Sequence, residues 1–385
     1  MNNDYSMNFN KKSLELHKKH KGKIEIKVKV PLQSRDDLSI AYTPGVAAVV
    51  KTIKKNKKQS WRLTNRANSI AIVTDGSAVL GLGKVGAEAA MPIMESKSAI
   101  FKEFANIDAY PLCINTYQTD EIVKFCKYIE PSFAGINLED ISSPRCFEIV
   151  ERLEKELSIP VFHDDQDGTA IVTLAALINA CRVTGRVIKE LRVVINGAGA
   201  AGIAIARLLI TQGVKNIILL DSKGIIYSGR RNLNIYKKAI AQKINREKLK
   251  GKLDKALVGA DVFIGVSTGN LINQAMVKSM NKQPIIFAMS NPIPEIMPNN
   301  ALKARAVIVG TGRSDFPNQI NNALVFPGIF RGLLNGHINK ITTRMKVAVA
   351  LAIAYSIKPK KDRILPLIFD KRVVKVVSQA VVNSK

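Results

Sequence analysis

The stretch Leu191-Arg-Val-Val-Ile-Asn-Gly-Ala-Gly-Ala-Ala-Gly202 joins a short apolar run to a G-x-G-x-x-G fingerprint. Residues 191–196 have the β-branched composition of a buried strand, and a helical pattern at 201–212 follows the glycines. A strand, a glycine turn and a helix in this order are typical of a dinucleotide site, with the pyrophosphate at the helix N-terminus. We therefore predict that a nucleotide cofactor contacts Gly197, Gly199, Ala200, Ala201 and Gly202.

The next predicted strand, 216–221, ends in an acidic residue. Asp221 lies 24 residues after Gly197, where a carboxylate can accept hydrogen bonds from the adenosine ribose. A carboxylate favours NAD because it repels the 2′-phosphate of NADP, whereas the adjacent Ser222 and Lys223 are side chains that bind such a phosphate. We favour NAD and keep NADP as the alternative.

A second match to G-x-G-x-x-G occurs at 81–86. Six residues separate it from the predicted strand at 70–74, which is too long for the tight turn of a dinucleotide fingerprint. No acidic residue ends a second strand about twenty residues later, as such a fingerprint requires. We interpret this motif as a backbone turn that lines the substrate site.

Predicted strands alternate with helical patterns along most of the chain. The strands are predicted at 24–30, 70–74, 134–138, 159–163, 191–196, 216–221, 261–266, 284–289 and 306–310, and the helices at 87–105, 120–128, 168–183 and 201–212. Such alternation indicates an α/β protein with parallel sheets covered on both faces. We predict a smaller N-terminal α/β substrate domain, 1–158, and a Rossmann-like, doubly wound parallel-sheet domain with C-terminal helices, 159–385.

Two acidic doublets, Glu139-Asp140 and Asp164-Asp165, each end an apolar run. Charged pairs at strand ends are costly unless they face a crevice or a cation. Each doublet alone is typical of a loop or a helix cap. Together, next to a cofactor fingerprint, they indicate a hard divalent cation, which prefers carboxylate oxygens. A metal beside a nicotinamide cofactor predicts redox chemistry on a small oxygenated substrate.

The formal net charge is +27. A basic surface is one signature of nucleic-acid binding, but here the lysines are scattered and no aromatic residues alternate with them at base-stacking spacing. We interpret the charge as compositional drift and predict no specific nucleic-acid partner, with a nucleic-acid- or anion-binding protein kept as the alternative. A positive field also attracts anionic substrates and nucleotides.

Cysteines and apolar runs indicate the compartment. The four cysteines form no C-x-x-C pair and no obvious disulfide framework, which favours a reducing cytoplasm. The N-terminal residues have no apolar core of a secretory signal. The apolar run at 347–357 is too short to span a bilayer and predicts a buried helix. We therefore expect a cytoplasmic protein with no membrane association.

Several motifs carry a resemblance to a known family. They are Leu38-Ser-Ile-Ala-Tyr-Thr-Pro-Gly-Val46, Val73-Thr-Asp-Gly-Ser-Ala-Val-Leu-Gly-Leu-Gly83, Met94-Glu-Ser-Lys-Ser-Ala-Ile-Phe-Lys-Glu-Phe-Ala105, Gly135-Ile-Asn-Leu-Glu-Asp140, Val161-Phe-His-Asp-Asp-Gln166, Ser290-Asn-Pro292 and Ile320-Asn-Asn-Ala-Leu-Val-Phe-Pro-Gly328. With these motifs in this order, the chain resembles the short, bacterial type of malic enzyme over nearly its whole length. The resemblance implies oxidative decarboxylation of L-malate to pyruvate and CO₂, with reduction of NAD or NADP.

The resemblance also implies roles for the acidic doublets and for two proton-transfer groups. Mg²⁺ or Mn²⁺ would be bound by Glu139, Asp140 and Asp165. Lys97 matches the general base and Tyr42 matches the general acid of the family.

Three further side chains match the family's site. Asp164 matches a carboxylate near the base. Asn291 and Asn322 match amides that hold the substrate, and Asn291 also lies on the cofactor side. We expect a homodimer or a higher homo-oligomer. The alternatives are a degenerate malic-enzyme scaffold that binds without turnover and a metal-dependent hydroxyacid dehydrogenase that does not decarboxylate.

Overall fold

Two parallel sheets form the framework of the chain. The computed structural model describes residues 2–79 and 81–385, and side chains from residue 9 onward within those ranges. The first sheet has the order β2-β1-β3-β4, with strands β1 Ser69–Thr74, β2 Asp108–Cys113, β3 Ile136–Leu138 and β4 Val161–His163. All three pairings in it are parallel. Every residue of β1 is buried, as expected for a central strand covered on both faces.

The second sheet has the order β10-β9-β8-β5-β6-β7. Its strands are β5 Arg192–Asn196, β6 Asn216–Asp221, β7 Gly224–Ile225, β8 Val262–Gly265, β9 Ile285–Ala288 and β10 Ile308–Thr311. Only the short β7 is antiparallel among the pairings described. Strand β6 lies on one side of β5, and β8 lies on its other side, so the direction in which strands are added reverses at β5. This reversal opens a crevice between the carboxyl ends of β5 and β8, where ligands bind in such sheets.

Helices cover the two sheets and connect their strands. They are α1 Asn2–His20, α2 Arg35–Ala41, α3 Val46–Lys55, α4 Ser60–Leu63, α5 Ala87–Ala105, α6 Thr119–Ile129, α7 Arg145–Glu156, α8 Thr169–Thr184, α9 Ala200–Thr211, α10 Ile235–Ala241, α11 Leu253–Leu257, α12 Gln274–Lys278, α13 Pro298–Lys303, α14 Phe326–Gly336, α15 Thr343–Tyr355 and α16 Arg372–Asn383.

Aromatic packing fixes helix α5 against the C-terminal helices. The ring of Phe101 on α5 lies 4.7 Å from that of Phe326 and 5.5 Å from that of Phe330, both on α14. All three rings are buried, and each contributes about 2–3 kcal/mol by leaving water. The last helices therefore close over the first sheet and hold α5 in a single position.

Most predicted elements are confirmed. The helix predicted at 87–105 is α5 with the same bounds, and the strand predicted at 216–221 is β6. The fold class is confirmed as well, because both sheets are essentially parallel and covered by helices. The apolar run at 347–357 lies largely in α15, as predicted.

The strand predicted at 24–30 is wrong. Its alternating residues, Ile24, Ile26 and Val28, are exposed and lie in irregular chain. Alternation predicts a strand only where one face is buried, and no strand within residues 2–79 and 81–385 pairs with the segment. Strand β2, Asp108–Cys113, was not predicted, because its polar start and its proline obscure the apolar pattern.

The pairing of β4 bears on the division into domains. This strand pairs with β3 and so lies in the first sheet, whereas the predicted boundary at 158/159 assigns it to the second domain. Among residues 2–79 and 81–385, no helix is both long enough and apolar enough to cross a membrane.

Candidate active site

The two acidic doublets meet at one edge of the first sheet. Leu138 at the end of β3 is in register with His163 at the end of β4, so the residues that follow emerge side by side. One carboxylate oxygen from each of Glu139, Asp140 and Asp165 lies within 4.8 Å of the other two. The register of two adjacent strands therefore produces the three-carboxylate cluster.

The geometry of the cluster fits a divalent cation. Glu139 and Asp140 are buried and Asp165 is half-buried, and three carboxylates this close repel one another without a cation. Asp140 has a left-handed backbone, with φ of 54°, which aspartate tolerates better than most residues. Its N–H donates to Asp165 Oδ2 at 2.9 Å. Such oxygen donors suit Mg²⁺ or Mn²⁺.

Lys97 on α5 points into the same cluster. Its Nζ lies 3.0 Å from Glu139 Oε2 and donates a hydrogen bond to Asp164 Oδ2. The ammonium also lies 4.4 Å from the centre of the Phe326 ring, a cation–π distance. Burial alone would lower the pKa of Lys97, but Asp164 and Glu139 outweigh it and raise this pKa above its ordinary value. In the protein without a cation, Lys97 is protonated.

Burial also shapes the titration of the groups around Lys97. It raises the pKa values of Glu139, Asp164 and Asp165, although Lys97 opposes the shift. It lowers the pKa of His163 to about 4, so the imidazole is neutral at neutral pH. His163 Nδ1 lies 3.8 Å from Asp165 Oδ2. The crowded, buried carboxylates therefore resist ionisation beyond what Lys97 offsets, and a bound cation would favour their charged form.

One contact of the cluster was missed at the level of sequence. Asn137 Nδ2 donates to Glu139 Oε2 at 3.1 Å, which leaves the other Glu139 oxygen for different partners. The signal was available, because residues two apart on a strand lie on the same face. Asn137 is fully buried, so this hydrogen bond orients Glu139 without solvent competition.

The glycine fingerprint brings the start of α9 close to the end of β5. A Cβ at Gly202 would lie 1.8 Å from the carbonyl oxygen of Gly197, so only glycine allows α9 to start so near β5. Nothing lies within 4 Å of a Cβ position at Gly199, the N-cap of α9. Ala200 and Ala201 form the first turn of the helix. The N-terminus of α9 is therefore open to an anionic ligand.

Asp221 ends β6, but its carboxylate already has cationic partners. Arg230 Nη2 lies 2.5 Å and Lys237 Nζ 2.8 Å from Asp221 Oδ2. Burial alone would raise the pKa of Asp221, yet these hydrogen bonds lower it below its usual value. Arg230 and Lys237 were not identified from sequence, because no motif marks them. The carboxylate at the end of β6 is thus already paired with two basic side chains.

The turn at 81–86 approaches the second sheet. A Cβ at Gly81 would lie 2.1 Å from the carbonyl oxygen of Asn291, so main chain meets main chain across the cleft. Asn291 Nδ2 would lie 2.6 Å from a Cβ at Gly312. The chain that leads into the turn is tied to the carboxylate cluster, because Ala78 N–H donates to Asp140 O at 2.9 Å.

Comparison with known proteins identifies the family. Residues 21–154 match the family model described as malic enzyme, N-terminal domain, and residues 166–384 match that of malic enzyme, NAD binding domain. The two models together cover most of the chain. The chain belongs to the malic enzyme family.

Several proteins are similar to this chain over nearly its whole length. The bifunctional malic/malolactic enzyme of Bacillus subtilis (strain 168) is 51% identical over 382 residues, covering 98% of this chain and 93% of that protein. The NAD-dependent malic enzyme of Geobacillus stearothermophilus is 50% identical over 366 residues, covering 94% and 76%. The crystal structure of the NAD-dependent malic enzyme of Thermotoga maritima is 48% identical, with a TM-score of 0.93, covering 96% and 98%.

Asn322 and Asp167 both lie at the loop 164–168, which follows β4 and contains Asp164 and Asp165. Asn322 begins a 3₁₀ turn before α14. A Cβ built at Gly168, the last residue of the loop 164–168, would lie 3.2 Å from the Cβ of Asn322. Asp167 is the third acidic residue of that loop, after Asp164 and Asp165. Lys346 on α15 donates to Asp167 Oδ1 at 2.6 Å, which neutralises the added charge.

Tyr42 is the predicted acid–base residue that the structure does not bring to the carboxylate cluster. It is the C-cap of α2 and is 65% exposed. None of the hydrogen bonds described for the chain joins its hydroxyl to Lys97 or to the carboxylates. In this malic-enzyme chain, seven of the eight acid–base, metal and substrate residues predicted from sequence thus lie at the cleft, and Tyr42 lies on the exposed N-terminal segment.

Proposed function

We propose that this chain catalyses the oxidative decarboxylation of L-malate to pyruvate and CO₂, with reduction of NAD or NADP. The observation that carries the proposal is the cluster of Glu139, Asp140 and Asp165 with Lys97, located where the turn at 81–86 meets the cofactor-binding sheet. Membership of the malic enzyme family supports the same reaction. A metal site, a base and a dinucleotide cleft are the parts this chemistry needs.

The acidic cluster is proposed to hold Mg²⁺ or Mn²⁺ through Glu139, Asp140 and Asp165. When bound, the cation would offset the charge that raises the Lys97 pKa and would stabilise negative charge on the substrate oxygen. Lys97, once neutral, would take the proton of the C2 hydroxyl, and a bound nicotinamide would supply the acceptor for the hydride of C2. Asp164 holds the Lys97 nitrogen in place for that transfer.

Decarboxylation then needs a proton at C3. Breaking the bond to the carboxylate releases CO₂ and leaves an enolate, which a general acid converts into pyruvate. Tyr42 is proposed to supply this proton. Asn291 and Asn322 are proposed to bind the carboxylate and hydroxyl region of malate, since their amides can donate and accept at once.

A homodimer or higher homo-oligomer is proposed for the assembly. The N-terminal segment exposes Ile26, Val28, Ile40 and Tyr42, with Ile26 87% exposed. Large apolar residues that are exposed this close together in sequence are typical of a protein–protein contact. A second copy covering it would also bury Tyr42. Sedimentation analysis of the wild type against Ile26→Lys tests this, and an unchanged monomeric mass in both contradicts it.

NAD is proposed as the preferred cofactor, with NADP accepted more weakly. Asp221 places a carboxylate at the end of β6, where a 2′-phosphate would be repelled. Arg230 and Lys237 reduce that repulsion by pairing with Asp221. We further propose a cytoplasmic enzyme that binds no specific nucleic acid. A salt-sensitive shift of DNA or RNA in a gel would contradict the last statement.

One assay tests the proposed reaction. Purified protein with L-malate and Mn²⁺ is expected to reduce NAD, and NADP more slowly, with one pyruvate formed per reduced cofactor. Lactate is measured in parallel, because a 51% identical relative bears the name bifunctional malic/malolactic enzyme. Oxaloacetate in place of pyruvate would indicate a dehydrogenase that does not decarboxylate. Mn²⁺ binding without turnover would indicate a binding scaffold.

A further inference from the structure

Glu295 is a buried carboxylate outside the cluster of Glu139, Asp140 and Asp165. Glu295 follows β9 and is fully buried. Burial raises the pKa of Glu295 to about 7, although hydrogen bonds from the main chain oppose the shift. Within the described parts of the chain, its contacts are main-chain amides and no ion pair reaches it. A buried acid without a cationic partner lowers the stability of the fold, which indicates that Glu295 has a functional role.

The carboxylate of Glu295 joins two loops. The N–H of Ser267, just after β8, donates to Oε1 at 3.2 Å. The N–H of Ser290, just after β9, donates to Oε2 at 3.1 Å. A Cβ at Gly265 would lie 2.3 Å from the carboxylate carbon, so the group fits tightly between the strand ends. One side chain thus fixes the spacing of the two loops.

Both loops border the cofactor cleft. A Cβ at the fingerprint residue Gly197 would lie 2.6 Å from the carbonyl oxygen of Val266. Asn196 Nδ2 donates to Ser267 Oγ at 2.8 Å, and Asn291 directly follows Ser290. Asp221 marks the adenosine side on β6, whereas β8 and β9 lie on the other side of β5. The two loops therefore face the nicotinamide half of a dinucleotide.

We propose that Glu295 is a positioning residue, whose two hydrogen bonds hold the loops after β8 and β9 in the arrangement that receives the nicotinamide half and presents Asn291. The inference rests on the proposed function, since it assumes a dinucleotide in this cleft. It requires the two acceptor oxygens and the length of glutamate. Glutamine accepts at one oxygen only and turns an N–H₂ donor toward the other amide.

The test compares Glu295→Gln and Glu295→Asp with a matched control, Glu247→Gln, which removes an exposed acid of the same domain. Binding of NADH is followed by fluorescence, without malate. Hydrogen exchange is measured at 266–270 and 289–295. Two other main-chain bonds, Asn270 N–H to Pro294 O and Ile272 N–H to Glu295 O, still join the loops, so both Glu295 variants are expected to fold.

We expect both Glu295 variants to weaken NADH binding and to raise the KM for the cofactor by about tenfold, the effect of losing one charged hydrogen bond. Exchange rises in the two loops only, and Mn²⁺ affinity is unchanged. Wild-type NADH affinity and wild-type exchange in both variants would overturn the proposal, as would unfolding of both. Failure of wild-type protein to bind NADH at all would instead overturn the proposed function.

Discussion

Lys97 Nζ lies 3.0 Å from Glu139 Oε2, so the proposed base and a proposed metal ligand share one buried ion pair. The two roles are therefore linked. Carboxylates without a cation keep Lys97 protonated, and a protonated lysine cannot take a proton. Removing the metal is expected to abolish both the binding of malate and the function of the base.

Substitution of the metal ligands gives the first prediction. Asp165→Asn and Glu139→Gln each remove one charge with little change in shape. We expect malate turnover to fall by at least ~10²-fold, because charge stabilisation at the reacting oxygen is lost. Pyruvate formation and Mn²⁺ binding by calorimetry are the measurements, with exposed Asp254→Asn as the control. Normal Mn²⁺ affinity and activity in both variants would contradict the metal assignment.

The proposed base can be tested by chemical rescue. Lys97→Ala is expected to slow malate oxidation by roughly 10²–10⁴-fold, the usual contribution of general base catalysis. Small primary amines added to the assay should restore part of the rate, since they can occupy the vacated space. Rescue should grow with pH as the amine becomes neutral. A rate that does not respond to any amine would favour a purely structural ion pair.

The proposed acid can be separated from the base. Tyr42→Phe keeps the ring and removes only the hydroxyl. Exchange of tritium into the methyl group of pyruvate needs enolisation but no hydride transfer, so this exchange should fall by roughly 10²-fold or more. Tyr128→Phe, at another exposed tyrosine, should leave it unchanged. If Tyr42→Phe exchanges like wild type, another group protonates the enolate.

Cofactor preference should depend on Asp221. In the wild type, Asp221 pairs with Arg230 and Lys237. Asp221→Asn leaves both cations available to a 2′-phosphate, so the ratio of kcat/KM for NADP to that for NAD is expected to rise about tenfold, the size of one charged contact. Steady-state kinetics with both cofactors measure this ratio. An unchanged ratio would mean that the adenosine ribose lies elsewhere.

The stability of the protein should carry a pH signature of Glu295. The folded pKa of about 7 lies above the ordinary value near ~4.3, so this group stabilises the fold fully at low pH. That contribution is lost as pH rises through 7. The Tm of wild type minus that of Glu295→Gln should therefore fall between pH 5 and pH 8. The Tm of wild type minus that of Glu247→Gln should not change with pH. If the Tm difference is independent of pH for both variants, the carboxyl of Glu295 is in contact with solvent.

The sequence predicted the parts of the site that depend on local order. The doublets, the fingerprint glycines and Asp221 each follow a strand, and parallel strands bring their carboxyl ends to one edge. Sequence could not predict which strands are neighbours. The pairing of Leu138 with His163 is a non-local choice, and it decides that the doublets meet within one sheet.

The contacts missed by sequence reasoning come from distant elements. Lys346 reaches Asp167 from α15, and Arg230 and Lys237 reach Asp221 from the loop and helix after β7. No spacing rule connects such pairs. The error at 24–30 has a different cause, since alternation was read as a strand where no partner strand is present.

The contact of Gly81 with the carbonyl of Asn291 sets how far apart the two sheets lie at the active site. Hydride transfer requires the reacting carbons to approach within about 3.5 Å. The two halves of the active site come from different sheets, and at Gly81 and Asn291 they approach through main chain. A methyl group at position 81 would act as a spacer. The distance across which hydride is transferred therefore depends on Gly81, which takes no part in the chemistry and matters only because it has no side chain.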